Sequence, residues 1–104
     1  MKPLIFGALL AVLCVAGPLR AQEQSDADRL FEEAQQARDD GRLAEACALY
    51  GESDAREHDD WVRFEHAMCL EELGDRAAAA AIYEQIAAGG GEKAGQARIR
   101  AEEL

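Results

Sequence analysis

Apolar and small residues recur three or four positions apart from residue 26 to the end of the chain, with polar residues between them. This spacing is that of amphipathic helices, whereas period-2 alternation and β-branched residues, which strands require, are scarce. The pattern predicts helices over residues 26–40, 43–53, 61–73, 76–88 and 92–104. Residues 22–25 are expected to form a short disordered lead. The fold class is therefore predicted to be all-α.

Local residues mark the expected helix ends. Ser25 is a suitable N-cap for the first helix, because its hydroxyl can accept a hydrogen bond from the first turn. Gly41 and Gly74 each follow a helix, and glycine accepts the left-handed conformation with which many helices end. The polar run 54–59 predicts a loop, and Asp60 is expected to cap the third helix. Three consecutive glycines separate the last two helices.

The pattern around Gly41 recurs around Gly74. In both copies an Ala lies seven residues before the Gly, another Ala five residues after it, and a Tyr nine residues after it. The matched residues are Ala34, Ala46 and Tyr50 in the first copy and Ala67, Ala79 and Tyr83 in the second. A repeat period of ~33 residues with two helices per unit is typical of helical repeat arrays, which usually bind other proteins.

This spacing resembles that of the tetratricopeptide repeat (TPR) family, in which small residues let two helices approach and an aromatic residue fills the space toward the next hairpin. The resemblance covers residues 26–104, with hairpins at 26–53 and 60–88 and a terminal helix at 92–104. It implies a short right-handed α-solenoid. The chain departs from the family at Ser53 and Ile86, where the motif has Ala.

The resemblance also implies which face of each first helix meets the preceding hairpin. In the first unit this face is polar and consists of Arg29, Glu33, Gln36 and Asp40. In the second unit it is mostly apolar and consists of Val62, His66, Cys69 and Leu73. The first hairpin has no predecessor and the second must bury this face, so the polarity agrees with the implied stacking order.

Residues 1–21 have the features of a secretory signal peptide. Lys2 provides a positive charge, residues 4–16 are almost wholly apolar, and Ala21 is a small residue suited to cleavage. The apolar run 4–16 is shorter than the ~20 residues of a membrane span, so no membrane insertion is expected after cleavage. Retention as an uncleaved anchor is the alternative. We expect an exported protein, in the periplasm of a bacterium or outside the cell.

Charge narrows the classes of partner. Without Lys2 and Arg20, nine of the 11 basic residues remain against all 21 acidic ones, a net charge of −12. Such a surface repels nucleic acid and anionic lipid, so no nucleic-acid binding is expected. A basic or apolar protein segment is the partner that the composition favours. Residues 22–104 are enough for one small domain with a marginal core.

Two cysteines, Cys47 and Cys69, remain after the signal peptide. In the stacked arrangement that the resemblance implies, the faces that carry them meet, and an oxidising compartment favours their pairing. We therefore expect a Cys47–Cys69 disulfide, which would stabilise the fold by ~3 kcal/mol. Two buried free thiols are the alternative.

The sequence has no signature of catalysis. A nucleophile elbow, a phosphate-binding loop, a zinc-protease helix and a C-x-x-C motif are all missing from the sequence, so no enzymatic activity and no cofactor are expected. His66, Cys69 and Cys47 offer at most three metal ligands without an evident fourth, and no metal site is expected. A small-ligand or metal carrier that uses His66 and the acidic groups is an alternative function.

The resemblance implies a concave groove lined by the first helix of each hairpin. The residues expected to bind a partner there are Phe31, Gln35, Arg38, Trp61, Phe64, Met68 and Glu71. We call Phe31, Trp61, Phe64 and Met68 the apolar strip, a composition suited to peptide recognition. The strip is either a binding groove or core covered by the last helix.

The expected function is a protein-binding scaffold or adaptor in the bacterial cell envelope. A structural subunit that oligomerises through the strip is an alternative.

Overall fold

The computed structural model describes residues 24–104, which form five helices joined by short turns. The helices are α1 (Asp26–Asp39), α2 (Leu43–Arg56), α3 (Asp60–Leu73), α4 (Arg76–Gly89) and α5 (Ala94–Glu103). No strand occurs in this part of the chain, and the all-α prediction is confirmed. None of these five helices is long and apolar enough to cross a membrane. The predicted signal peptide at 1–21 lies outside the described residues.

The predicted cap and glycine turns are found. The Ser25 hydroxyl accepts a hydrogen bond of 3.1 Å from the Asp28 amide. Gly41 and Gly74 have φ of +82° and +97°, a conformation that favours glycine. In both turns the residue after the glycine donates its amide to the carbonyl five residues earlier, at 2.8 Å in the first turn and 2.9 Å in the second. The two turns therefore use the same helix-ending motif.

Two predicted boundaries at the α2–α3 connection are wrong. Helix α2 continues to Arg56, because Asp54 is held within the helix by Arg63 of α3, whose Nε lies 3.2 Å from both carboxylate oxygens. The N-cap of α3 is Asp59 rather than Asp60. Asp59 Oδ1 accepts from the amide of Trp61 at 2.8 Å, and Asp60 is the first helical residue.

The last two helices also differ slightly from the prediction. Helix α4 includes Gly89 and ends where Gly90 adopts a φ of +72°. Helix α5 begins at Ala94 and ends at Glu103, a shorter span than the predicted 92–104. The glycine run thus forms the α4–α5 turn, as its composition indicated.

Each helix packs mainly against its neighbours in the sequence. A first core cluster joins α1, α2 and α3, and its members are Ala34, Ala37, Ala46, Cys47, Tyr50 and Cys69. A second cluster joins α3, α4 and α5, and its members are Phe64, Ala67, Ala79, Tyr83, Ile86 and Ala97. All six residues matched by the repeat period are at most 1% exposed, so the small residues permit close helix contact.

In the first helix of each hairpin, the face expected to meet the preceding hairpin has the expected polarity and burial, with one exception. In α1 and its C-cap the residues Arg29, Glu33, Gln36 and Asp40 are all exposed. In α3, Val62 and His66 are partly buried and Cys69 is fully buried. The expectation that α3 buries this whole face is wrong at Leu73, which is 44% exposed because it is the last residue of the helix, at the margin of the contact.

Cys47 of α2 and Cys69 of α3 have the geometry of a disulfide. Their sulfur atoms lie at bonding distance, and their Cα atoms are 5.5 Å apart, within the usual range. Both residues are buried in the first core cluster. The predicted pair is therefore confirmed as a close contact, and it joins the first hairpin to the second.

Candidate functional site

Two phenylalanines of the apolar strip pack edge-on against the tyrosine of the following helix. The ring centroids are 5.6 Å apart for Phe31 and Tyr50 and 5.3 Å apart for Phe64 and Tyr83, at interplanar angles of 61° and 66°. Such pairs add stability beyond the area they bury. The interval from Phe to Tyr is the same in both pairs, and the second pair follows the first by one repeat period. This pairing was not predicted, although the equal Phe–Tyr interval in the two repeats indicates it.

The four residues of the apolar strip differ in exposure. Phe64 is 8% exposed and belongs to the second core cluster, and Met68 packs against that cluster. Phe31 is partly buried, and Trp61 is 54% exposed. The strip is therefore core at Phe64 and surface at Trp61, so each of the two interpretations describes part of it.

Phe31 and Trp61 line one cleft between α1 and α3, of about 270 Å³, which we call the Phe31–Trp61 cleft. Its other lining residues are Ala27, Asp28, Ser53, Glu57, Asp59 and Val62. Three of these are carboxylates, and all three are exposed. The cleft therefore combines two aromatic rings with an acidic rim.

Phe64 and Met68 line a second cleft, of about 460 Å³, on the side that faces α5. The residues that α5 contributes are Gln96, Ile99, Arg100 and Glu103. Ile99 is 58% exposed there. Helix α5 thus borders the strip and leaves part of it open to solvent.

Gln35 and Arg38 lie apart from both clefts, in a polar depression of about 380 Å³ that also contains Tyr50 and Glu65. The Arg38 guanidinium lies 6.0 Å from the centroid of the Tyr50 ring and forms an ion pair with Glu72. A second ion pair, at 3.5 Å, reaches Glu65 without hydrogen-bond geometry. Arg38 is therefore engaged between α1 and α3.

Glu71, the last of the predicted binding residues, belongs to a network inside the fold. It accepts a hydrogen bond from the Tyr83 hydroxyl and lies 3.4 Å from Nη2 of Arg100 on α5. Burial raises the pKa of Tyr83 to about 12, and the hydrogen bond to Glu71 contributes to the rise. Glu71 thus ties α3 to α4 and α5.

Lys93, at the start of α5, covers the exposed end of the apolar strip. Its Nζ lies 4.3 Å from the centroid of the Trp61 ring and 5.1 Å from that of Phe64. Both distances are within the range of a cation–π contact. Lys93 was not among the predicted residues, because nothing local in the sequence indicates that the α4–α5 turn reaches the start of α3.

The candidate metal ligands of the described residues do not lie together. Among residues 24–104, no group of three His, Cys, Asp or Glu side chains is placed to hold an ion. Cys47 and Cys69, the two cysteines in the described part of the chain, face each other at bonding distance and are not free to join His66 at a metal. The pKa of His66 is lowered by burial.

No family model matches the sequence, and comparisons with curated proteins and with solved structures find no significant similarity. Function is therefore inferred from the arrangement of residues 24–104 themselves. They form an all-α domain whose α1–α3 side combines an exposed tryptophan, a cleft with an acidic rim and a lysine stacked on the aromatic rings.

Proposed function

We propose that this chain is a short TPR-like helical-repeat protein, arranged as a right-handed α-solenoid of two hairpins and a terminal helix. Three features that recur at the repeat period support this arrangement: the buried alanines, the glycine turns and the Phe–Tyr pairs. The Phe–Tyr pairs carry the most weight, because the two pairs have nearly the same centroid distance and interplanar angle.

The proposed function is to bind a protein segment on the side of α1 and α3. The observation that carries it is Trp61, which is 54% exposed at a cleft that it shares with Phe31. Exposed tryptophans beside partly filled clefts are costly to hydrate and are frequent anchors of protein interfaces. Gln35, Arg38 and Glu71 lie outside this cleft, and ion pairs and hydrogen bonds within the fold already engage Arg38 and Glu71, so the proposed contact rests on the aromatic residues.

We further propose that the protein acts as an adaptor in the bacterial cell envelope, without catalytic activity of its own. The signal-like residues 1–21 and the disulfide geometry of Cys47 and Cys69 support export. The partly buried carboxylates Asp54 and Glu71 are paired with Arg63 and Arg100, which suits packing better than acid–base chemistry.

Self-association is the second candidate function, and exposed Ile99 favours it. Helix α5 makes its main contacts with α4 and leaves Ile99 58% exposed at the Phe64–Met68 cleft. A second copy of the chain could cover this residue together with Trp61. In that case the strip would be an interface between copies and not a site for another protein.

Photo-crosslinking from position 61 in the periplasm of living bacteria, followed by mass spectrometry, tests the proposal. We expect capture of a specific envelope protein. Binding of that purified protein should weaken by about tenfold or more for Trp61→Ala, the effect of losing an interface anchor. Leu73→Ala is the matched control, since Leu73 is also exposed but lies roughly 18 Å away along the same helix.

Two results would contradict protein binding at this surface. Equal loss of affinity for Trp61→Ala and Leu73→Ala, in variants with unchanged helical circular dichroism, would remove Trp61 from the site. Capture of the chain itself alone, with a dimer in sedimentation that Trp61→Ala dissociates, would establish self-association instead.

A further inference from the structure

Lys93 contacts aromatic rings and no carboxylate within residues 24–104, although the chain is strongly acidic. It is the only lysine after Lys2, and residues 24–104 place no carboxylate at ion-pair distance from its ammonium group. It lies instead over the rings of Trp61 and Phe64, at 4.3 Å and 5.1 Å from their centroids. This pair of rings therefore already holds a cation that comes from the protein itself.

The position of Lys93 allows another cation to replace its ammonium group at the rings. Lys93 precedes α5, directly after the glycine-rich α4–α5 turn, and only its side chain reaches the rings. Cation–π contacts at exposed sites are weak, and Trp61 is 54% exposed. Removing the ammonium group from the rings would require side-chain rotation and no rearrangement of helices.

The surroundings of the rings favour a cation from outside. Asp28, Glu57 and Asp59 line the adjoining Phe31–Trp61 cleft, and the whole chain has a net charge of −10. Asp60 begins the helix that carries both rings. A basic segment would therefore find aromatic faces for one of its cationic side chains and carboxylates for the next.

We propose that the Trp61–Phe64 ring pair is a recognition site for a lysine or arginine side chain of a basic partner segment, and that Lys93 occupies this site until the segment binds. The inference rests on the proposed protein-binding function and adds the chemistry of the partner. Lys93 competes with the partner, so the chain without it binds a basic segment more tightly.

The test uses the purified exported chain and two fluorescein-labelled peptides, one of alternating alanine and lysine and one with glutamine in place of each lysine. Anisotropy measures affinity, and the emission of Trp61, the only tryptophan of the chain, reports contact at the rings. We expect the lysine peptide to bind and to shift the Trp61 emission, and the glutamine peptide to do neither.

Variants separate competition from net charge. Lys93→Ala should tighten binding of the lysine peptide about two- to fivefold, the strength of one exposed cation–π contact. Arg98→Ala changes the net charge equally at an exposed position of α5 and should tighten binding by clearly less. Lys93→Arg keeps a cation over the rings and should bind as the unaltered chain does, while Trp61→Ala should lose most of the affinity.

The inference is overturned if Lys93→Ala tightens binding no more than Arg98→Ala, or if the glutamine peptide binds as well as the lysine peptide. If the crosslinked envelope protein depends on Trp61 but keeps its affinity when its basic residues are changed to glutamine, protein binding stands and only the cation site fails. If neither that protein nor the lysine peptide depends on Trp61, both proposals fail. Binding of a second copy alone through Trp61 also overturns the cation site.

Discussion

The two hairpins have the same internal packing but different surroundings. Each contains buried alanines, a glycine turn and an edge-on Phe–Tyr pair at matching positions. Within residues 24–104, the first hairpin packs against another helix on one side only, whereas α3 and α4 lie between α2 and α5. As a result Phe64 is nearly buried and Phe31 lines an open cleft. The same local motif therefore serves as core in one copy and borders a surface cleft in the other.

The polar residue beside each tyrosine shows a second difference between the hairpins. Arg38 and Glu71 occupy equivalent positions, one repeat period apart, but carry opposite charges. Arg38 lies over the ring of Tyr50 and pairs with Glu72 on the next hairpin. Glu71 accepts from the hydroxyl of Tyr83 and pairs with Arg100 on α5, so each residue ties its hairpin to the element that follows. Either sign of charge can make this link if its partner has the opposite one.

The largest expected effect distinguishes the two Phe–Tyr pairs. Phe64→Ala should lower the free energy of unfolding by about 3–5 kcal/mol, because it empties a buried position. Phe31→Ala should cost roughly half as much, because Phe31 is partly exposed. Urea denaturation followed by circular dichroism measures both, with Phe64→Leu as the substitute if Phe64→Ala does not fold. An equal or larger cost at Phe31 would contradict the difference in burial.

The Cys47–Cys69 disulfide, which joins the two hairpins, should make the next largest contribution to the free energy of unfolding. Replacing Cys47 and Cys69 together by alanine should lower the free energy of unfolding by about 3 kcal/mol, since the bond closes a loop between residues separated by 22 positions. Reductant should destabilise the unaltered chain similarly and leave the double variant unchanged. Alkylation of both thiols without reductant in the exported protein would show that the bond does not form.

A smaller loss of stability is expected at Ser53, which occupies in the first hairpin the position that Ile86 occupies in the second. The Ser53 hydroxyl is buried and donates to the Ala27 carbonyl at 2.8 Å. Ser53→Ala should cost about 1 kcal/mol, the usual value of one buried hydrogen bond. Thermal unfolding would show this as a lowered Tm, and an unchanged Tm would mean that the bond makes no net contribution.

Alkaline pH should lower stability through Tyr83. The pKa of Tyr83 is raised to about 12, above the ordinary value of about 10, by burial and by its bond to Glu71. The folded state therefore holds this proton more tightly, and the resulting stability is present below pH ~10 and lost as pH rises toward 12. Tyr83→Phe should reduce the alkaline loss of stability in urea titrations at several pH values. An unchanged alkaline loss in Tyr83→Phe would contradict this role of Tyr83.

The smallest expected loss of stability occurs at acidic pH. It concerns His66, on the face of α3 that meets the first hairpin. Burial lowers the pKa of His66, while the charge of Asp54 opposes this in part. The folded state thus favours the neutral ring, so the stability is complete above pH ~6.5 and decreases as pH falls below that value. His66→Gln should weaken this dependence in urea titrations. An unchanged acid dependence in His66→Gln would contradict a role for burial.

Helix number, glycine turns and the alanine core could be predicted because each depends on neighbouring residues or on a short period. The end of α2 could not, since Asp54 is held in the helix by Arg63 on α3. The candidate surface was predicted only in part. The position of Phe64 in the core depends on Tyr83, and the covering of Trp61 depends on Lys93 across a turn. Contacts between separate elements decide these features, and spacing along one helix does not report them.

The pairing of each helix with its sequence neighbours has a consequence for how the chain acquires its structure. Contacts that are local in sequence cost little loop-closure entropy, and chains rich in them fold rapidly. Each helix therefore finds its main packing partner next to it in the sequence, and no helix depends on a distant segment for its main contacts. Helix α5, whose main contacts are with α4 alone, should be the first to open in the native state and should show the fastest amide hydrogen exchange.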